Sequence, residues 1–272
     1  MRAPLLDVRD LSVTFGAVWA VRDVSLSVPT GLLVGLIGSN GAGKTTMLDA
    51  LTGFVPASGS ATFDGQELLS LPAHRRTALG MSRTWQTVEL FDDLTVYENL
   101  CVASSGTRIG RVVQAFLSPQ RAHDRTAMRT VMDDLELGEV LDRYPEELSE
   151  GERKLVGLAR TLVSQPRLLL ADEPAAGLDS AQSVRLGQRL KHLVSKGLTI
   201  VLVDHDMGLV LSVCDLIHVL DHGVLIASGT PDEIRGSETV LAAYLGQPVP
   251  AAGEAVSGSD AGPEALPGSS GE

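Results

Sequence analysis

The sequence predicts an α/β protein built on a mainly parallel sheet, and three observations carry that expectation. Short apolar runs of strand length alternate with helical segments in the second half of the chain. A continuously apolar run at 32–37 leads into a glycine-rich turn and a helix. A second apolar run, Leu168, Leu169, Leu170 and Ala171, ends in two acids, Asp172 and Glu173. Open α/β sheets place their ligands at such carboxyl ends of strands.

The elements follow in order. Residues 5–15 and 20–28 alternate apolar and polar side chains, as half-exposed antiparallel strands do. Residues 32–37 form a buried parallel strand, and a helix over 44–53 follows the glycine-rich turn. Residues 62–64 read as a strand near a turn at 56–59. From 97 to about 165 the pattern is mainly helical. Thr95, Val96, Tyr97 and Glu98 offer a start, and 121–137 has helical spacing. Residues 104–119, between them, follow no clear pattern. Strands are expected at 167–171, 198–203 and 215–220, with helices at 180–196 and 207–213. A hairpin pairs 217–220 with 224–228 around His222 and Gly223. Residues 238–245 form a last helix. Residues 247–272 are acidic, rich in Pro, Ala, Gly and Ser and free of aromatics, which predicts a disordered tail.

Composition narrows the function classes. The chain has 272 residues, 44% hydrophobic and 21% charged, which excludes fibrous and wholly disordered classes. Two cysteines, Cys101 and Cys214, exclude a disulfide scaffold and predict reduced cytosolic thiols. The net charge of −12 disfavours nucleic acid as a partner. Four of the acids lie in the tail (Glu254, Asp260, Glu264, Glu272), so most of the negative charge belongs to the body of the chain. No apolar run reaches the roughly 18 residues of a membrane span, and residues 1–9 lack the apolar block of a signal peptide. The expectation is a soluble chain able to dock on a membrane protein.

Gly38, Ser39, Asn40, Gly41, Ala42, Gly43, Lys44 and Thr45 match G-x-x-x-x-G-K-[ST]. Glycines let backbone N–H groups face phosphate oxygens without a Cβ in the way. The following helix turns its free N–H groups toward the same anion. Lys44 would reach the β- and γ-phosphates, and Thr45 would offer a hydroxyl to Mg²⁺. By average residue usage such a match arises by chance in roughly one chain in a hundred of this length, and lysine is scarce here. Asp172, at its strand end, would face Mg²⁺. Glu173, one residue on, would polarise the attacking water, since a carboxylate committed to a metal is a weak proton acceptor.

With these two sites in place, the ordered series around them resembles the ATP-binding subunits of ABC transporters, over about residues 5–246. Leu148, Ser149, Glu150, Gly151 and Glu152 look like the family signature Leu-Ser-Gly-Gly-Gln. Gln86 fits the Q-loop, Ala176 to Asp179 the D-loop, His205 the H-switch, and Phe15 the aromatic that stacks on adenine, with Trp19 the competing candidate. Several have plainer readings as well. Ser149 and Glu152 spell a capping box, Asp179 and Gln182 another, and an isolated histidine such as His205 is more often structural.

The resemblance implies a P-loop NTPase of the ABC ATPase fold, with an antiparallel β subdomain and a helical subdomain inserted at about 88–165. ATP and Mg²⁺ are the implied ligands. Two subunits, identical or different, would meet head to tail. Lys44, Thr45 and Thr46 of one would hold the phosphates, while Ser149 and Gly151 of the other would contact the γ-phosphate, and Asp179 of the D-loop would join the nucleotide site. Glu173, His205, Lys44 and Gln86 would carry catalysis, with Thr45, Gln86 and Asp172 toward the metal. Transmembrane permease subunits would dock on the helical subdomain, a solute-binding protein would act indirectly, and the chain would sit peripherally at the cytoplasmic face of the membrane. Glu150, Glu152 and Ala176 depart from the family pattern. Extra negative charge near a triphosphate costs affinity unless Glu152 turns back to cap its helix.

Within the family the chain is similar to ATPases of branched-chain amino acid importers and their urea or amide relatives. Arg83, Thr84, Trp85 and Gln86 carry that likeness, with the runs 94–100, 172–178, 205–207 and 229–246. An exporter-type ATPase of the same fold, a soluble non-transport ATPase and a nucleotide-sensing module are the other readings.

Overall fold

The computed structural model describes residues 4–85, 89–104 and 122–244. The expectations for Gln86, for most of 104–119 and for the tail at 247–272 lie outside the described residues.

Alternation folds the N-terminal region as expected. β1 (Pro4–Phe15) and β2 (Val18–Pro29) pair antiparallel, and β4 (Ser58–Phe63) and β5 (Gln66–Glu67) complete a sheet in the order β2-β1-β4-β5. Two expectations are corrected here. The strand begins at Ser58 rather than 62, and the turn lies at Asp64 and Gly65 rather than 56–59. Both Asp64 (φ 50°) and Gly65 (φ 79°) are left-handed, the conformation an Asp-Gly hairpin turn requires.

The second sheet has the order β10-β9-β3-β8-β7-β6. β3 (Leu33–Gly38), β7 (Leu168–Asp172) and β8 (Thr199–Val203) are buried along their whole length, which is why they read as apolar runs. β6 (Met81–Arg83), β7, β8, β3 and β9 (Leu216–Asp221) are parallel neighbours, and β10 (Val224–Gly229) returns antiparallel through His222 and Gly223. Because side chains alternate along a strand, this sheet divides the interior. Leu33, Ile37, Leu169, Ala171, Ile200 and Leu202 face one apolar cluster. Val34, Leu36, Leu168, Leu170, Val201 and Val203 face the other.

The first helix, α1 (Lys44–Thr52), ends where Gly53 turns left-handed at φ 86°. Buried Arg76 donates to the α1 carbonyls of Ala50 (2.6 Å) and Leu51 (2.9 Å), placing a cation at the negative end of that helix. Arg76 belongs to α2 (Ala73–Ala78), a short helix the sequence reading did not anticipate. Among the described residues between β6 and β7 are α3 (Val96–Ser104), α4 (Ala122–Asp134), two single-turn 3₁₀ segments and α5 (Glu150–Leu162). α6 (Ser180–Ser195) and α7 (Met207–Val213) follow β7 and β8, and α8 (Pro231–Arg235) and α9 (Glu238–Tyr244) follow β10.

His218 helps join the two sheets. It is 4% exposed, with Nε2 3.0 Å from the Ser27 carbonyl and Nδ1 2.8 Å from the Ser228 hydroxyl. A carbonyl only accepts, so Nε2 carries the proton and Nδ1 accepts from Ser228. Burial pushes the imidazole pKa below its ordinary value.

Candidate active site

The phosphate loop joins β3 to α1. Gly41 has φ 82° and open space where a Cβ would stand, so its backbone can approach an anion closely. A Cβ at Gly43 would lie 2.3 Å from the Ala20 carbonyl, so β2 packs directly on the loop. Lys44 is 7% exposed, and its Nζ donates to the loop carbonyls of Gly38 (2.8 Å) and Ser39 (3.0 Å). Burial lowers its pKa, opposed by the negative charges of Glu173 and Asp172. Those two carboxylates thus act electrostatically on the ammonium. Ser39 and Thr46 are half-buried, Ala42 is buried, and Asn40 and Thr45 are exposed.

Asp172 and Glu173 stand at the carboxyl end of β7. The backbone of Asp172 donates to Thr84 Oγ1 (3.1 Å), and its Oδ2 accepts from Arg83 Nη2 at 2.7 Å. Glu173 is half-buried, its N–H donates to the Val203 carbonyl at 2.7 Å, and its φ is 47°. That left-handed backbone is uncommon outside glycine. His205 follows β8 with its side chain exposed and Nδ1 3.8 Å from Asp204 Oδ1. Buried Asp204 accepts from the N–H groups of Ala175 (3.1 Å) and Asp206 (3.0 Å). It thereby links the loop after Glu173 to the loop carrying His205.

A cavity of about 1060 Å³ connects Thr45, Asp172 and Glu173 to Ser149, Gly151 and Glu152. Ser149 is the N-cap of α5, and the extra carboxylate of Glu152 does turn back. It accepts from the Ser149 N–H (2.8 Å) and hydroxyl (2.7 Å), while Ser149 Oγ accepts from the Glu152 N–H (3.3 Å). These bonds hold the Glu152 pKa below the usual glutamate value. Glu150 packs on the neighbouring loop: a Cβ at Gly177 (φ 76°) would lie 2.4 Å from Glu150 Oε1. Asp179 caps α6, its Oδ1 accepting from the Gln182 N–H at 2.7 Å.

The Glu152 cap has a measurable pH signature. A depressed folded-state pKa adds stability above the unfolded value, about 4.3, and loses it as pH falls through the folded one. Glu152→Ala should therefore melt earlier at neutral pH, by about 1 kcal/mol of lost cap. The gap from wild type should close in acid. A gap that persists at pH 2 would mean the side chain acts by something other than its charged cap.

Phe15 and Trp19 are both about half exposed, at the end of the β1–β2 hairpin. Trp19 precedes Ala20, the residue against Gly43, so the hairpin end sits beside the phosphate loop. Two groups escaped the sequence reading as site residues: Asp204, and Arg83 with its second partner Asp49 (Nη1 to Oδ1, 2.5 Å). Arg83 ends a strand beside β7, a position no local pattern announces; the signal available in the sequence was its place in the run Arg83, Thr84, Trp85 and Gln86.

The ABC transporter family profile matches residues 21–176, and that of the branched-chain amino acid ATP-binding cassette transporters matches 224–249. The chain is 38% identical over 254 residues to the high-affinity branched-chain amino acid transport ATP-binding protein BraF of Pseudomonas aeruginosa, covering 91% of this chain and 100% of that protein. It is 39% identical over 256 residues to LivG of Escherichia coli K12, of the same description and with the same coverage. The lipopolysaccharide export ATP-binding protein LptB of Escherichia coli K12 is 34% identical over 243 residues, covering 89% and 97%. Among solved structures, an ATP-binding cassette of an ABC transporter in its ADP conformation superposes with a TM-score of 0.80 at 27% identity. That match covers 90% of this chain and 100% of the other.

Proposed function

The chain belongs to the ABC transporter family as an ATP-binding and ATP-hydrolysing subunit, and we propose that it powers bacterial uptake of branched-chain amino acids or a related small polar solute. The observation that carries the solute class is the match of residues 224–249 to the branched-chain cassette profile, beside the likeness to BraF and LivG. The likeness to LptB supports export as the second reading. Disruption of the gene should abolish uptake of radiolabelled leucine, with restoration by the wild-type copy. Intact leucine, urea and amide uptake, with a defect in exporting an envelope component, would favour the second reading.

The ATPase domain spans residues 1–246 with its helical subdomain at about 88–165. Backbone N–H groups at 41–46 would receive the phosphates, and Lys44 would exchange its two loop carbonyls for phosphate oxygens. Thr45 and Asp172 fit Mg²⁺: a hydroxyl and a carboxylate, both hard oxygen donors, line one cavity, and this ion takes few protein ligands. Its role there would be to neutralise phosphate charge. Glu173 would take the proton of the attacking water, His205 would orient the γ-phosphate, and Gln86 would link the site to the helical subdomain. Phe15, or Trp19, would stack on adenine. Ser149, Gly151 and Asp179 would serve the nucleotide of a second subunit packed head to tail, so that ATP binding favours the closed pair. No helix among the described residues is long and apolar enough to cross a membrane. The family role implies membrane permease subunits as partners, and we place the chain peripherally at their cytoplasmic face.

A further inference from the structure

Arg83 ties the nucleotide site together in a way that none of the sequence motifs describes. Its side chain is 4% exposed and forks between two carboxylates, Asp49 on α1 and Asp172 at the end of β7. Its Nε is buried without a hydrogen-bond partner among the described residues. Among the described residues, the fork therefore carries the side-chain hydrogen bonds of this guanidinium. Its carbon lies 4.6 Å from the centroid of the Trp85 ring, a stacking that helps fix its plane. One rigid cation thus spans the phosphate-loop helix and the carboxylate assigned to Mg²⁺.

Resting on that assignment of Asp172, we propose that Arg83 is a positioning residue that sets how strongly Mg²⁺ and nucleotide reinforce each other's binding. The bridge fixes Asp172 to α1, one helical turn from Thr45. The same guanidinium also competes with Mg²⁺ for the negative charge of Asp172. Arg83 therefore holds this ligand in place and weakens it at once. Lysine would keep the charge but lose the planar fork that spans two carboxylates, and glutamine would lose the charge.

The test compares affinity for a non-hydrolysable ATP analogue in EDTA and in excess Mg²⁺. Their ratio measures the metal–nucleotide coupling and is read beside ATP turnover. Arg83→Gln should raise the ratio about threefold or more while turnover falls about tenfold. Arg83→Lys should leave the ratio near wild type and still lose turnover. Asp172→Asn serves as the control for the underlying assignment. If it leaves the ratio unchanged, Asp172 is not the metal ligand and the proposal falls with that assignment. If it collapses the ratio while Arg83→Gln leaves it unchanged or lowers it, Arg83 is a structural strut and the proposal alone is overturned, whatever happens to the melting temperature.

Discussion

Glu173→Gln is expected to cut ATP turnover by about a hundredfold or more while leaving nucleotide binding intact. Glutamine has the same shape but no basic carboxylate to take a proton from water. The backbone bond from residue 173 to Val203 survives the change, so the loop keeps its course. Binding would then proceed to the closed, ATP-bound pair and stop there. Light scattering in ATP and Mg²⁺ should show a stable dimer for the variant, while wild type hydrolyses and disperses. Turnover at the wild-type rate would sink the assignment of Glu173 as base.

Lys44→Ala is expected to weaken ATP binding by about 10- to 100-fold. A charge-assisted hydrogen bond contributes about 1.5–3 kcal/mol, and this ammonium can make more than one. Because Lys44 is buried and already aimed by Gly38 and Ser39, little conformational entropy is lost when phosphate arrives. Fluorescent-nucleotide titration measures the loss, and circular dichroism checks that the fold is retained. Unchanged affinity would move the triphosphate away from this loop.

Most of the central sheet was legible because burial on both faces leaves a simple trace: four to six consecutive apolar residues at β3, β7 and β8. β2 was legible for the opposite reason, since buried and open positions alternate over 24–29, whereas β1 is irregular and buries Leu11, Ser12 and Val13 in succession. What escaped was short or assembled at a distance. β6 has three residues and takes its place from parallel pairing with β7, which no local pattern announces. α8 did carry a signal, Thr230 and Glu233 as a capping box with Pro231 at its first position. The two capping boxes at Ser149 and Asp179 were readable because each closes over three residues. The Arg83 fork joins residues 34 and 89 positions apart. Sequence reading reached Arg83 only as a neighbour of Gln86, without its charge partners.

The backbone of Glu173 sets heat resistance against turnover. A left-handed conformation costs a side-chain-bearing residue about 1–2 kcal/mol that glycine does not incur. Without nucleotide, Glu173→Gly should therefore melt above Glu173→Gln, and a reversed order would mean that contacts of the side chain outweigh the strain. Of these two variants the glycine one would be the sturdier, and neither would keep the carboxylate expected to take the proton of water. The left-handed turn that carries the carboxylate and the carboxylate itself thus pull in opposite directions, one toward a looser fold and the other toward the expected chemistry.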